Sequence, residues 1–198
     1  MKQKQTRSRA LLLLIIAISV GPMLLAWIVL QNPDWLSKQT NFGRLITPAV
    51  AVERQQWLAR DAFTREHIDE LKGHWVLLNL IPGKECTEVC RQALHKTKQI
   101  RLMLNKDLTR LRRAAVTLQA VDANKTKSWW LDDNRLLKIS VDADLLNKIN
   151  TIIGEPIQDG VIMVMDPLGN LMMVYDAGFD PYSIKKDLTK LLRASQIG

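Results

Sequence analysis

The most pronounced hydrophobic pattern is the uninterrupted apolar run at residues 10–30, ALLLLIIAISVGPMLLAWIVL, which contains no charged residue. At 1.5 Å per residue, a helix over this run is about 30 Å long, the thickness of the hydrocarbon core of a bilayer. A cleaved signal peptide has a shorter apolar segment that is followed by a small-residue cleavage site. The pattern therefore predicts an uncleaved transmembrane anchor.

Beyond the anchor, short apolar runs alternate with amphipathic segments. Residues 31–60 have weak periodicity, so we predict a linker and an edge element there, followed by one domain at 61–198. The runs WVLLNLI (75–81) and AAVTLQAVD (114–122) are typical of strands that are buried on both faces. Between them, apolar residues recur at helical spacing from Thr87 to about Asp107.

The last third of the chain continues this alternation. A short strand, KISVD, precedes a predicted helix at 143–153, and GVIMVMD and NLMMVYD flank PLG as the two strands of a hairpin. A final helix is expected after Asp180, because Pro181 suits the first helical position. The order β-α-β-α-β-α-β-β-α predicts an α/β, thioredoxin-like mixed sheet with helices on both faces.

Charge and composition narrow the function classes. The chain has 198 residues and a formal charge of +8, of which +4 comes from residues 1–9, where no acidic residue occurs. No basic stretch is interleaved with aromatic residues, so nothing favours nucleic-acid binding. The run RLRR (110–113) is interpreted as the solvated end of a helix.

The same basic residues predict the orientation of the anchor. Lysine and arginine ahead of a spanning helix stay on the cytoplasmic side. We therefore expect a single-pass protein of the bacterial inner membrane, with residues 1–9 in the cytoplasm and the domain in the periplasm. Disulfides can form in that compartment.

The only two cysteines, Cys86 and Cys90, lie in GKECTEVC, where the first core strand is followed by its helix. Unpaired backbone N–H groups and the helix dipole favour a thiolate there. Helical residues four apart have Cα atoms about 6 Å apart, which a disulfide tolerates. The same geometry lets two thiolates converge on Cu(I), whereas zinc requires four ligands. The two cysteines could therefore form a redox-active pair, an inert disulfide or a metal-binding pair, and these three alternatives remain open.

A third metal ligand is not evident from the sequence. His95 follows Cys90 by five residues and points away from both thiols on a helix. His74 precedes the seven-residue strand and is expected at the other end of the sheet, and His67 lies farther back. All three histidines are interpreted as surface residues or as residues that support a site without contacting the metal.

Three segments give the chain a resemblance to the Sco/SenC family of membrane-anchored thioredoxin-fold proteins. LKGHWVLLNLIPGKECTEVC is similar to the family's L-K-G-K-x-V-L-V-x-F-G-[YF]-T-x-C-P-x-x-C. LQAVDA (118–123) resembles the second core strand, and VIMVMDPLGNLMMVYDAGFDPYSIKKDLTKLL resembles the terminal D-P-x-G-x hairpin and helix. The resemblance covers residues 60–195.

The resemblance implies that the protein assists cytochrome c oxidase assembly through Cys86 and Cys90. The pair would either deliver Cu(I) or reduce the cysteines of a copper site on an oxidase subunit. A general periplasmic thiol–disulfide oxidoreductase acting on other thiol proteins is one alternative. A non-catalytic thioredoxin-like binding module is the other.

The chain departs from the family pattern at two positions. Arg91 follows the second cysteine, where the family has proline. The copper-binding histidine of the family lies eight residues before the hairpin Asp166, and this chain has Gln158 there. An amide oxygen is a weaker partner for Cu(I) than imidazole, which favours redox chemistry or weak two-coordinate copper binding. Related reductases have a cis-proline six residues before that aspartate, where this chain has Gly160.

Overall fold

The computed structural model describes residues 2–32, 41–130, 133–195 and 197. The chain divides into two compact units, Met1–Thr40 and Asn41–Gly198. In the first unit, helix α1 covers Lys2–Gln31. Its segment Leu14–Gln31 has a mean hydropathy of 2.2 and is long and apolar enough to cross a membrane.

The second unit is built on one seven-stranded sheet with the order β1-β7-β6-β3-β4-β5-β2. Strands β3, β4 and β5 are parallel, and the other pairings are antiparallel. The strands are β1 (Arg44–Ala51), β2 (Trp57–Ala59), β3 (Trp75–Ile81), β4 (Leu111–Thr117), β5 (Leu137–Val141), β6 (Ile162–Met165) and β7 (Asn170–Tyr175).

Helices cover both faces of this sheet, as the alternating pattern predicted. They are α2 (Ala62–His67), α3 (Glu88–Met103), α4 (Ala123–Thr126), α5 (Ala143–Ile153) and α6 (Pro181–Ala194). Helices α3 and α6 pack on one face through residues such as Ile100 and Leu188. Helix α5 packs on the other through Leu145 and Ile149.

The centre of the sheet explains the continuous apolar run at 75–81. All seven residues of β3 are buried, because β3 lies between β6 and β4 and is covered on both faces. The hairpin predicted around PLG is formed by β6 and β7, which pair antiparallel. The edge element expected within 31–60 contains β1, which pairs with β7.

The interpretation of RLRR as a solvated helix end is wrong. Arg110 ends a 3-10 helix, and Leu111 begins β4, three residues before the predicted strand. Arg113 is only 3% exposed. Alternating apolar residues identify a strand, and a buried arginine inside the strand obscures that pattern.

Candidate functional site

The two cysteines lie at the corner that joins β3 to α3. Thr87 is the N-cap of α3, and its hydroxyl accepts a hydrogen bond from the backbone N–H of Cys90 at 3.4 Å. A threonine cap satisfies one of the donors that a helix start leaves unpaired. Cys90 therefore lies in the first turn of α3, as predicted, whereas Cys86 precedes the cap rather than belonging to the helix.

Cys86 and Cys90 form a disulfide, and their Cα atoms are 5.2 Å apart. This separation lies within the range that a disulfide requires. The described structure is thus the oxidised state of the pair. Its formation confirms that the C-x-x-x-C spacing brings both sulfurs together at this corner.

Both cysteines are buried, with 3% of Cys86 and 2% of Cys90 exposed. They belong to an apolar cluster with Ile81, Leu94, Ala115 and Leu136, and the rings of Trp129 and Trp130 pack against this cluster. A redox-active pair must be accessible to its partner, and in this state neither sulfur is. In the oxidised state the covering side chains must move before a partner thiol can reach either sulfur.

Arg91 is a residue of this corner whose role the sequence did not indicate. Its guanidinium donates to the carbonyl oxygen of Cys86 at 2.8 Å and forms an ion pair with Glu88, also at 2.8 Å. The hydrogen bond from Arg91, with further support from Gln92, lowers the pKa of the Glu88 carboxyl. Arg91 thereby fixes the Cys86 backbone and offsets the Glu88 charge beside the helix start.

The loop before β6 contacts the same helix start. The Thr87 hydroxyl donates to an Asp159 carboxylate oxygen at 2.5 Å, and the other oxygen of Asp159 is buried and has no hydrogen-bond partner among the described residues. Gly160 has a φ of +86°, and a Cβ there would lie 2.8 Å from Cγ1 of Val89. Only glycine allows this close approach without strain.

A cavity of about 790 Å³ opens beside this loop, at the carboxyl ends of β3 and β4. Pro82 and Leu118, which follow those strands, line it together with Pro156 and Asp159. The peptide bond between Glu155 and Pro156 is cis, four residues before Gly160. Its volume is in the range of pockets that hold small molecules.

The described donors do not fit a three-coordinate copper centre. Among the described residues, no group of three or more His, Cys, Asp or Glu side chains is placed to share a metal ion. Gln158 is exposed, and the two sulfurs are bonded to each other. The histidines bond elsewhere: His67 to the carbonyl of Phe63, His74 to that of Glu70, and His95 to the side chain of Gln99.

Comparison with known proteins supports the fold. The family model of the transmembrane-like, thioredoxin-like C-terminal domain matches residues 75–195. No curated protein matches the chain significantly.

Two solved structures illustrate the likeness. Apo Sco1 from Thermus thermophilus is 15% identical, with a TM-score of 0.55 over 78% of this chain and 99% of that protein. Yeast Sco1 with copper bound is 14% identical, with a TM-score of 0.51 over 64% of this chain and 83% of that protein. The predicted resemblance to Sco proteins is confirmed at the level of the fold.

Proposed function

The chain belongs to the transmembrane-like, thioredoxin-like C-terminal domain family, and we propose that it performs thiol–disulfide exchange through Cys86 and Cys90 at the bacterial inner membrane. One observation supports this proposal above the others. The only two cysteines of the chain are bonded to each other at the helix start of a thioredoxin-like fold.

The proposed reaction reduces a client disulfide. By analogy with thioredoxins, the thiolate of the reduced Cys86 attacks one client sulfur, and the client's other sulfur leaves as a thiolate. Cys90 then attacks the Cys86 sulfur of the mixed disulfide and releases the second client thiolate. The Cys86–Cys90 pair loses two electrons and two protons as its disulfide forms, and the client gains two electrons and two protons. A dithiol reductant must restore the reduced pair.

The proposed client is a cysteine pair of a copper site on a cytochrome c oxidase subunit. Support comes from the fold shared with the Sco1 structures and from a helix long and apolar enough to anchor the domain in the membrane. Oxidase copper-site cysteines must be reduced before they bind metal, because the thiolate is the metal ligand. The proposed location is the periplasmic side, with residues 1–9 in the cytoplasm.

A redox titration of the full chain in detergent tests the exchange function. The chain is equilibrated in dithiol buffers of known potential, and free thiols are alkylated and counted by mass. A labile pair gives a reduction potential above about −300 mV, whereas a value well below that identifies a structural bridge and contradicts the proposal. Electron transfer from the reduced chain to an oxidised copper-site peptide then tests the proposed client.

Copper binding is the second candidate function, and the likeness to yeast Sco1 with copper bound favours it. The reduced pair would supply two thiolates, which suit Cu(I). Gln158 is the doubtful third position. Anaerobic Cu(I) titration against a competing chelator measures the affinity of the reduced chain, and no retention of copper by that chain contradicts this candidate.

The variant Gln158→His sharpens the copper test, and Gln55→His, at an exposed glutamine outside the site, is its matched control. If residue 158 faces the thiols, Gln158→His raises the Cu(I) affinity and Gln55→His does not. Equal affinities in the wild type and both variants would show that residue 158 does not face the pair.

A further inference from the structure

A second cavity, of about 310 Å³, lies at the opposite end of β4 from the disulfide corner, and four arginines line it. Arg112 and Arg113 are the second and third residues of β4, Arg101 belongs to the last turn of α3, and Arg135 precedes β5. Three separate segments therefore direct guanidinium groups into one small space. We name it the arginine cavity.

Two of the four positive charges are compensated by carboxylates. Arg112 forms an ion pair with Glu70, which also lines the cavity. Arg113 is bonded to Asp133 at 2.6 Å, and these two side chains are 3% and 16% exposed. The buried pair is further fixed because Arg113 also donates to the carbonyl oxygen of Leu94 at 2.7 Å.

Arg101 and Arg135 remain without an acidic partner among the described residues. The Nε of Arg101 donates to the carbonyl oxygen of Leu111, and no acidic side chain forms an ion pair with either guanidinium in the described part of the chain. Burial lowers the pKa of Arg101, and the charges of Arg112, Arg135 and Arg113 lower it further, while the nearby charge of Asp133 only partly offsets this. An anion placed between these groups would relieve that repulsion.

The remaining wall of the arginine cavity is aromatic and apolar. Phe63 and His67 stack with ring centroids 4.3 Å apart, and both line the cavity together with Leu137. A ligand with a strongly negative group and a small apolar group could pair with the arginines on one wall and pack against the aromatic rings on the other. Guanidinium groups bind phosphate and carboxylate oxygens in a bidentate manner.

We propose that the arginine cavity binds a phosphate monoester, with the phosphate between Arg101 and Arg135 and the organic group against Phe63 and His67. Arg101 and Arg135, which form no ion pair with the described residues, supply two positive charges for a monoester dianion, which carries about −1.5 to −2 at pH 7. The volume is at the lower limit for ligand pockets, which favours a small ester. The site is separate from the cysteine pair and does not depend on its proposed redox function.

The test is calorimetric titration of the full chain in detergent with phenyl phosphate at low ionic strength. We expect saturable binding with one site per chain. The double variant R101Q/R135Q should bind at least ten times more weakly, because it removes both guanidinium charges that would contact the phosphate. Equal affinity in the wild type and R101Q/R135Q would overturn the proposal.

Two controls separate a built site from general charge attraction. The variant R65Q/R193Q removes two exposed arginines that do not line the cavity, and its affinity should equal that of the wild type. Benzoate, with one negative charge, should bind the wild type more weakly than phenyl phosphate. A similar loss in R65Q/R193Q, or benzoate binding as tight as phenyl phosphate, would contradict the site. Unchanged thermal unfolding of R101Q/R135Q confirms that it is folded.

A final arm distinguishes a soluble ester from a lipid phosphate. The wild-type chain is placed in phosphatidylcholine nanodiscs with or without phosphatidic acid, and phenyl phosphate is titrated again. Weaker phenyl phosphate binding in the presence of phosphatidic acid supports the site with a lipid phosphate as its ligand. Unchanged binding supports it with a soluble ester. No binding of phenyl phosphate in either nanodisc overturns the proposal.

Discussion

The two ends of the parallel strands β3 and β4 are stabilised by different forces. At the carboxyl ends, a disulfide lies in an apolar cluster with Trp129 and Trp130 packed against it. At the amino end of β4, arginines and carboxylates form ion pairs, of which the pair between Arg113 and Asp133 is the most buried. The stability of the carboxyl end depends on the redox state of the cysteines, and the stability of the amino end depends on ion pairs.

The two ends are nevertheless connected. Arg113 donates to the carbonyl oxygen of Leu94, a member of the cysteine cluster, and Asp133 donates its backbone N–H to the carbonyl oxygen of Trp130 at 3.0 Å. The Arg113–Asp133 pair therefore connects Trp130 to helix α3. Variants at each end test whether the disulfide stabilises the carboxyl end and ion pairs stabilise the amino end.

The largest effect is expected at the carboxyl end. Cys86→Ala should reduce exchange with an oxidised client peptide to the uncatalysed background, because it removes the attacking sulfur. Cys90→Ala should instead accumulate a mixed disulfide between Cys86 and the peptide, because no resolving thiol remains. Non-reducing electrophoresis and mass spectrometry measure this difference.

The same cysteine variants should also lower the free energy of unfolding, because they remove the disulfide. For the short loop closed by this disulfide, the chain-entropy relation gives a loss of about 2 kcal/mol in the free energy of unfolding. Arg193→Ala is the matched control, because Arg193 is exposed and its loss should change the stability by less than about 0.5 kcal/mol.

Accumulation of the mixed disulfide in Cys86→Ala rather than Cys90→Ala would reverse the assigned roles.

Arg113→Met should produce the largest loss of stability at the amino end. The substitution keeps the volume but leaves Asp133 largely buried without its partner, and Thr97 loses a donor. Removing one member of a buried pair costs about 3–5 kcal/mol. Chemical denaturation of the oxidised chain measures the loss.

A second substitution checks the cause of that loss. R113M/D133N removes the uncompensated charge and should regain part of the stability lost in Arg113→Met. If R113M/D133N is instead less stable than Arg113→Met, the unpaired charge of Asp133 is not the cause of the stability loss. A loss below 1 kcal/mol in Arg113→Met would show that the amino end is not stabilised by this pair.

These two ends also show what the sequence could predict. The helix start at Thr87, the position of Cys86 and Cys90, and the β6–β7 hairpin are encoded by neighbouring residues, so local periodicity was sufficient to find them. Trp129 and Trp130, about forty residues downstream, pack against the apolar cluster that contains the cysteines, and no local pattern signals that contact.

The arginine cavity was missed for the same reason. Its arginines come from α3, β4 and the segment before β5, and they are brought together only by the parallel order of β4 and β5. The burial of Arg113 depends on Asp133, twenty residues away, so RLRR resembles an exposed basic run in the sequence. The loop from Gln158 to Gly160 could be located only by the resemblance, and the contact between Thr87 and Asp159 follows from the tertiary fold.

Thr87→Ala should have a smaller effect at the carboxyl end. It removes the hydroxyl that caps α3 and bonds to Asp159, and loss of such a cap costs about 1 kcal/mol. The first turn should then fray more often, so dithiothreitol should reduce the disulfide faster than in the wild type. Thr87→Ser keeps the hydroxyl and should behave as the wild type. Identical reduction rates in all three proteins would show that the cap does not protect the cysteines.

Asp61→Asn should have the smallest effect, and it tests whether the amino end responds to pH. Asp61 caps α2, which contributes Phe63 and His67 to the arginine cavity, and it pairs with Lys138 at 2.7 Å. Burial raises the pKa of the Asp61 carboxyl, but bonds from Lys138 and Thr64 outweigh this and lower it below the usual value.

A lowered folded-state pKa means that the Asp61 charge stabilises the fold above the unfolded-state value of about 3.9 and that this contribution is lost as pH falls through the folded value. Because Asp61 is 31% exposed, solvent screening limits the contribution to less than about 1 kcal/mol. Asparagine also caps helices well, so the variant isolates the charge. The difference in unfolding free energy between the wild type and Asp61→Asn should be present at pH 7 and shrink in acid. A difference that stays constant with pH would assign the effect to the cap, and the amino end would then lack the charge dependence that separates it from the disulfide corner.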